Sequence, residues 1–196
     1  MSARVAVLIS GSGTLLQSRI DDPGRAYEIV AVVADRPAAG LQRARDAGIP
    51  ASVVGPQDHA DRRQWSNALA DVVAQHRPDW IVSAGFMRIL DEAFLDRFPQ
   101  RVINSHPALL PAFAGAHAVR DALAYGVKVT GCTIHVVDAG VDTGPIIAQQ
   151  AVEVLPGDDE ASLHERIKSV EWQMLPAVVN RLATGGMTVQ GRKVEL

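Results

Sequence analysis

Apolar residues in this chain fall into short unbroken runs, separated by stretches in which they recur every three or four positions. Arg4–Ser10 is one such run and Glu28–Ala34 a second, β-branched one. Unbroken apolar runs are what strands buried on both faces require. Ala51–Val54, Trp80–Ser83 and Arg101–Asn104 are shorter members of the set. Between them the helical period predicts helices over Thr14–Ile20, Ala38–Ala47 (stopped by Gly48), His59–Gln75 and Asp91–Phe98. In the third, Trp65, Leu69, Val72 and Val73 share a face. The second half reads differently. A helix is predicted over Val119–Tyr125, an alternating, edge-like strand over Val129–Val137 and a further strand over Pro145–Val154. Glu160–Ala183 reads as a long helix with a kink at Pro176. Met187–Gln190 and Arg192–Glu195 flank Gly191 as a closing hairpin. Strands alternating with helices predict an α/β, doubly wound, mostly parallel sheet with helices on both faces, the Rossmann-like arrangement. No Pro/Gly/Ser-rich linker interrupts the chain, so residues 1–196 are read as a single domain.

Composition narrows the classes. The 196 residues are 47% hydrophobic and 21% charged, a globular ratio that excludes a disordered chain. Net charge is −3, which gives no footprint for binding a nucleic-acid backbone, so any anion site must be local. A single cysteine, Cys132, excludes an internal disulfide and is expected in the core. The longest stretch without Asp, Glu, Lys or Arg, Val102–Val119, contains Asn104, His106, His117, Pro107 and Pro111, which a bilayer would not accept. The N-terminal apolar run meets Gly11 and Gly13 at once, which reads as a strand entering a turn rather than a signal peptide. A cytoplasmic protein with no membrane and no nucleic-acid partner is expected.

Three segments carry candidate chemistry. Gly11-Ser12-Gly13-Thr14 joins the first strand to the first helix. Glycines let backbone N–H groups approach an anion, and a helix start adds its positive end. The dinucleotide pattern fails because Leu16 stands where its third glycine belongs, so a single phosphate is the better ligand. A tight turn that needs glycine only for steric reasons explains the same residues. Asn104-Ser105-His106-Pro107 leaves a strand end, where open α/β sheets bind ligands. There Asn offers a neutral donor to a developing oxyanion, and His titrates near neutral pH. A capping Asn and a core His are the plain alternative. Val141-Asp142-Thr143-Gly144-Pro145 holds an aspartate able to orient a histidine, or forms an ordinary Asp-Gly turn, and Asp138 competes for the role. His59, His76 and His164 read as surface groups, and Trp65, Trp80 and Trp172 as core. No histidine–carboxylate spacing suggests a metal, and no G-x-S-x-G elbow surrounds Ser10 or Ser12.

Asn104-Ser105-His106-Pro107-Ala108-Leu109-Leu110-Pro111 resembles the signature of the folate-dependent formyltransferases. Asp142-Thr143-Gly144-Pro145 and Gly85-Phe86-Met87-Arg88-Ile89-Leu90 fit the same family, and the likeness runs from about Val5 to Leu182. The glycine loop and the length point to the branch that formylates the amine of glycinamide ribonucleotide from 10-formyltetrahydrofolate, in purine synthesis. The resemblance implies a catalytic trio of Asn104, His106 and Asp142. It implies an acceptor site at the backbone of Gly13, Thr14 and Leu15 with Lys168 and Glu171, and a folate site at Arg62, Met87, Arg88, Ile89, Leu90 and Val141. His117 matches a histidine in a mobile loop. It further implies no metal, direct amine attack through a tetrahedral oxyanion, and a monomer or homodimer. Two departures stand out: Ala114-Gly115-Ala116-His117 lacks the family's proline before the glycine, and Leu15 replaces a common asparagine. A hydrolase of 10-formyltetrahydrofolate and a noncatalytic phosphate-binding domain are the competing functions.

Overall fold

The computed structural model describes residues 2–196. Strands β1 (Ala3–Ile9), β2 (Tyr27–Ala34), β3 (Ala51–Val53), β4 (Trp80–Ser83), β5 (Val102–His106), β6 (Val129–Val136) and β7 (Ile146–Glu153) form one sheet in the order β3-β2-β1-β4-β5-β6-β7. Helices α1 (Thr14–Ile20), α2 (Ala39–Asp46), α3 (Arg62–Gln75), α4 (Glu92–Leu95), α5 (Ala118–Tyr125) and α6 (Glu160–Gly185) lie between or after them. Strands β8 (Thr188–Gln190) and β9 (Lys193–Glu195) form the separate hairpin expected around Gly191. The β1–β2, β1–β4 and β2–β3 pairs are parallel and β6–β7 is antiparallel, so the sheet is mostly parallel, as predicted. The order turns back between β1 and β4, and doubly wound sheets bind ligands beyond the carboxyl ends of strands at such a point.

Contacts divide the chain into two compact units, one ending at Ile103 and one running from Asn104 to Leu196. In the first unit, β1 and β2 are the buried centre: Val5–Ile9 and Ala31–Ala34 are almost wholly covered. Helix α3 starts later than the sequence pattern suggests, because the Asp61 side chain accepts from Gln64 N at 2.8 Å and caps it there. Pro56–Asp58 forms a 3-10 turn ahead of it. Trp65, Leu69, Ala70 and Val73 turn inward at helical spacing, and the Trp65 indole N–H donates to the Val54 carbonyl at 2.9 Å. Helix α4 is only one turn, capped by Asp91, although its apolar spacing continues to Phe98.

In the second unit, β6 is not the edge-like strand its alternation suggested. All but its first residue are buried, and β7 is the strand at the sheet's end. The polar residues that imitate an exposed face are buried, Thr133 and His135 with partners and Thr130 with its hydroxyl unpaired. Thr133 Oγ1 donates to the Ala108 carbonyl at 2.6 Å and accepts from Leu110 N at 3.0 Å. Helix α6 opens with a reciprocal cap between Asp159 and Ser162, and Pro176 lies inside it. Trp172, expected in the core, is 40% exposed on this helix, whereas Cys132 is buried. No helix among the described residues is long and apolar enough to cross a membrane.

Candidate active site

The second unit gathers the candidate trio. Asn104 and His106 are two residues apart on β5, so they share one face. The strand runs on to His106, where the sequence pattern ended it at Asn104. Asp142 sits in the β6–β7 turn with φ 53°, a left-handed conformation that aspartate tolerates better than most residues. The turn closes tightly beside it: a Cβ on Gly144 would strike the Val136 carbonyl oxygen. Arg192 pins the same turn by donating to the Thr143 carbonyl at 3.0 Å. Asp142 Oδ2 lies 3.2 Å from His106 Nδ1 and accepts from Gly115 N at 2.8 Å. Asp138 instead accepts from Gly140 N and Thr143 Oγ1 and shapes the turn. Asp142 is therefore the carboxylate that faces the histidine.

His135 on β6 joins this cluster, and the sequence pattern did not single it out. Its Nε2 lies 3.1 Å from Asn104 Nδ2 and 3.5 Å from Asp142 Oδ1. Its Nδ1 lies 3.1 Å from the Val136 carbonyl. A histidine in a buried strand needs polar partners, and that was the available signal. Hydrogen bonding with His135 is the largest cause that holds the Asp142 carboxyl down to about 2. Gly115 N–H and the His106 charge add to it, and burial opposes it. The demands compete, since Nε2 cannot donate to Asp142 while it accepts from Asn104.

His106 is nearly covered. Burial pulls its imidazole below the ordinary value; the Asp142 charge and a hydrogen bond to the Phe113 carbonyl at 2.8 Å push back, and His135 pulls with burial. Both ring nitrogens face acceptors, so only the imidazolium satisfies both. Asp142 thus limits a downward shift rather than reversing it. Through Phe113 and Gly115 the loop that carries Ala114 and the exposed His117 is tied to His106 and Asp142, without the proline the family pattern has there. On α6, Lys168 donates to Glu165 at 2.6 Å, and Glu171 is half-buried, with its charge felt at Cys132. Val141 is exposed beside Asp142.

The first unit holds the other candidates. Gly13 caps α1 with φ 69°, and a Cβ there would come 2.6 Å from Gly40 Cα, so the turn alone requires this glycine. Gly11 differs: a Cβ there meets nothing within 4 Å. No side chain caps α1, and Arg43 donates to the Ser12 carbonyl at 2.9 Å, which places a cation at the loop. Beyond β4, a cavity of about 500 Å³ is lined by His59, Arg62, Trp65, Met87, Arg88 and Ile89, among others. Leu90 is buried rather than on this lining, and His59, read as a surface group, is part of it. Arg62 donates to the Ile89 carbonyl at 2.8 Å. Arg88 donates to the wholly buried Asp35 at 2.7 Å. Burial alone would raise the Asp35 carboxyl, but hydrogen bonds with Ser10, Arg88 and Arg36 outweigh it and hold it below its usual value. Sequence reasoning also missed Asp35. An acidic residue about 20 positions beyond a glycine loop was its signal, yet here it anchors an arginine.

Asparagine and histidine at a strand end of a doubly wound sheet, with an aspartate closing on the histidine, suit transfer of a one-carbon acyl group. The chain belongs to the formyl transferase family, whose model matches residues 3–179. Among its relatives is the phosphoribosylglycinamide formyltransferase of Mycobacterium tuberculosis, 55% identical over 192 residues that cover 97% of this chain and 89% of that protein. It is also 43% identical over 192 residues to the human trifunctional purine biosynthetic protein adenosine-3, covering 96% of this chain and 19% of that protein. The crystal structure of glycinamide ribonucleotide transformylase 1 from Symbiobacterium toebii superposes with a TM-score of 0.96 at 43% identity, over 100% of this chain and 94% of that one.

Proposed function

We propose that this chain transfers the formyl group of 10-formyltetrahydrofolate to the amine of glycinamide ribonucleotide, a step of purine biosynthesis. The observation that carries the reading is the cluster in which Asp142 lies 3.2 Å from His106 and His135 lies beside both Asn104 and Asp142, in a formyl transferase chain 55% identical to a phosphoribosylglycinamide formyltransferase. The amine attacks the formyl carbon and a tetrahedral oxyanion forms. Asn104 and His106 donate to that oxygen, where preorganised donors act most strongly. His106 does so once its Nε2–H leaves the Phe113 carbonyl. The carbon–N10 bond then breaks, and the proton lost by the amine reaches N10 through water beside Asp142. As written, the chemistry uses no metal and no covalent intermediate on the protein.

Gly11 supports a phosphorylated acceptor. Among the described residues nothing lies within 4 Å of a Cβ built at Gly11, which leaves room for a ligand to approach the backbone there. The uncapped N–H groups of Gly13, Thr14 and Leu15 hold the phosphate, beside Arg43, and Lys168 and Glu171 contact the rest of the acceptor. Arg62, Met87, Arg88 and Ile89 hold the folate, with the buried Leu90 and the exposed Val141 as the remaining members of that site. The family model spans both compact units, which supports reading residues 1–196 as one formyltransferase domain. We place the enzyme in the cytoplasm, as a monomer or homodimer, with these two small molecules as its partners. The test is folate release from 10-formyltetrahydrofolate with and without glycinamide ribonucleotide. Release that depends on the acceptor supports the transferase; equal release without it makes the chain a hydrolase.

A further inference from the structure

We infer that His135 is a positioning residue that turns the Asn104 amide so that its nitrogen, not its oxygen, faces the oxyanion. The inference rests on the donor role given to Asn104 above. The His135 ring is almost wholly buried on β6; Nδ1 has one polar neighbour and Nε2 has two. Nδ1 lies 3.1 Å from the Val136 carbonyl, an acceptor only, so Nδ1 carries a hydrogen. With one hydrogen on the ring, Nε2 is bare and accepts. Its nearest neighbour is Asn104 Nδ2 at 3.1 Å, closer than Asp142 Oδ1 at 3.5 Å.

The consequence follows from the shape of a primary amide. Its nitrogen has two N–H bonds in one plane, and its oxygen has none. When one N–H is held by His135, the other is fixed in direction and free to donate. Were Nε2 to carry the hydrogen instead, it would donate to Asp142 and to the Asn104 oxygen, and the amide would turn over. A buried ring with its tautomer set by a backbone carbonyl thereby selects which end of Asn104 meets the substrate, as residues behind metal-bound histidines select their tautomer. The carboxylate's other oxygen, Asp142 Oδ2, faces His106 Nδ1 at 3.2 Å.

A double-mutant cycle on turnover tests this. His135→Phe keeps a buried ring and removes both nitrogens; it should lower kcat at least about tenfold and leave KM for both substrates within about twofold, as loss of a transition-state interaction does. His135→Gln, whose amide oxygen can accept from Asn104, should recover most of the lost kcat. In the Asn104→Ala background His135→Phe should change kcat by less than about twofold, because groups acting as one unit are not additive. Losses that multiply would overturn the inference and leave the donor role of Asn104 standing; full turnover in Asn104→Ala would overturn both, with the formyl-transfer reading itself tested separately by acceptor-dependent folate release. Nitrogen-15 spectra of the wild-type histidines give an arm that needs no variant. They should show a hydrogen on Nδ1 and a bare Nε2 for His135, and a hydrogen on Nε2 contradicts the inference.

Discussion

Gly11 and Gly13 stand two residues apart in one turn, and their replacement by alanine should have opposite effects. At Gly13 the backbone is at φ 69°, which costs a residue with a Cβ about 1–2 kcal/mol. The new Cβ would also lie 2.6 Å from Gly40 Cα, backbone against backbone, and such overpacking adds about 1–3 kcal/mol. Gly13→Ala should therefore lose roughly 2–5 kcal/mol, which in a chain of this size lowers Tm by about 4–20 °C. Gly11→Ala adds a methyl group to open space and should leave Tm unchanged. If the loop holds a phosphate through backbone N–H groups, that methyl occupies ligand volume. Loss of a hydrogen bond to a charged group is worth about 1.5–3 kcal/mol, or roughly 10–100-fold in acceptor KM. Thermal unfolding and acceptor KM for both variants make the assay. A Gly11→Ala enzyme with unchanged Tm and unchanged acceptor KM would refute the phosphate site, and the glycines would then serve the turn alone.

Asp142→Asn keeps the acceptor for Gly115 N–H and removes the charge. A carboxyl lowered from 3.8 to about 2 contributes roughly 2 kcal/mol to stability, present above the unfolded value and lost as pH falls from about 4 toward 2. Wild type should exceed the variant by that amount in urea unfolding at pH 7, and a gap that persists undiminished at pH 3 would contradict this. In the variant His106 loses the charge that opposes burial, so its imidazole should titrate still lower, by proton NMR, and turnover should fall by orders of magnitude. Cys132 is buried and its thiol is pushed up to about 12 by burial, so an alkylating reagent should modify it only in unfolded protein; modification of the native enzyme would show that β6 opens.

Much of the fold was legible because buried parallel strands are written as continuous apolar runs. β1 and β2 fall within a residue of their predicted bounds for that reason. The misreading of β6 has a plain cause. In β6, Thr130, Thr133 and His135 break the apolar run, and a pattern cannot tell a polar residue facing water from a buried one. The same ambiguity hid His135 from the site. Asn104, His106 and Asp142 were legible through a strand-end motif and a turn, but their distances, the His106 bond to Phe113 and the anchoring of the loop by Gly115 depend on backbone placement far apart in the chain.

Formyl transfer to an amine is decided by the fate of the transferred carbon. 10-Formyltetrahydrofolate carrying carbon-13 in the formyl group would be mixed with the protein and glycinamide ribonucleotide and followed by carbon-13 NMR. The label should appear as the formamide of the acceptor, at the rate at which folate is released, and Asn104→Ala should slow both by about 10²–10³. Label recovered as formate at an equal rate with or without the acceptor would contradict formyl transfer to the amine.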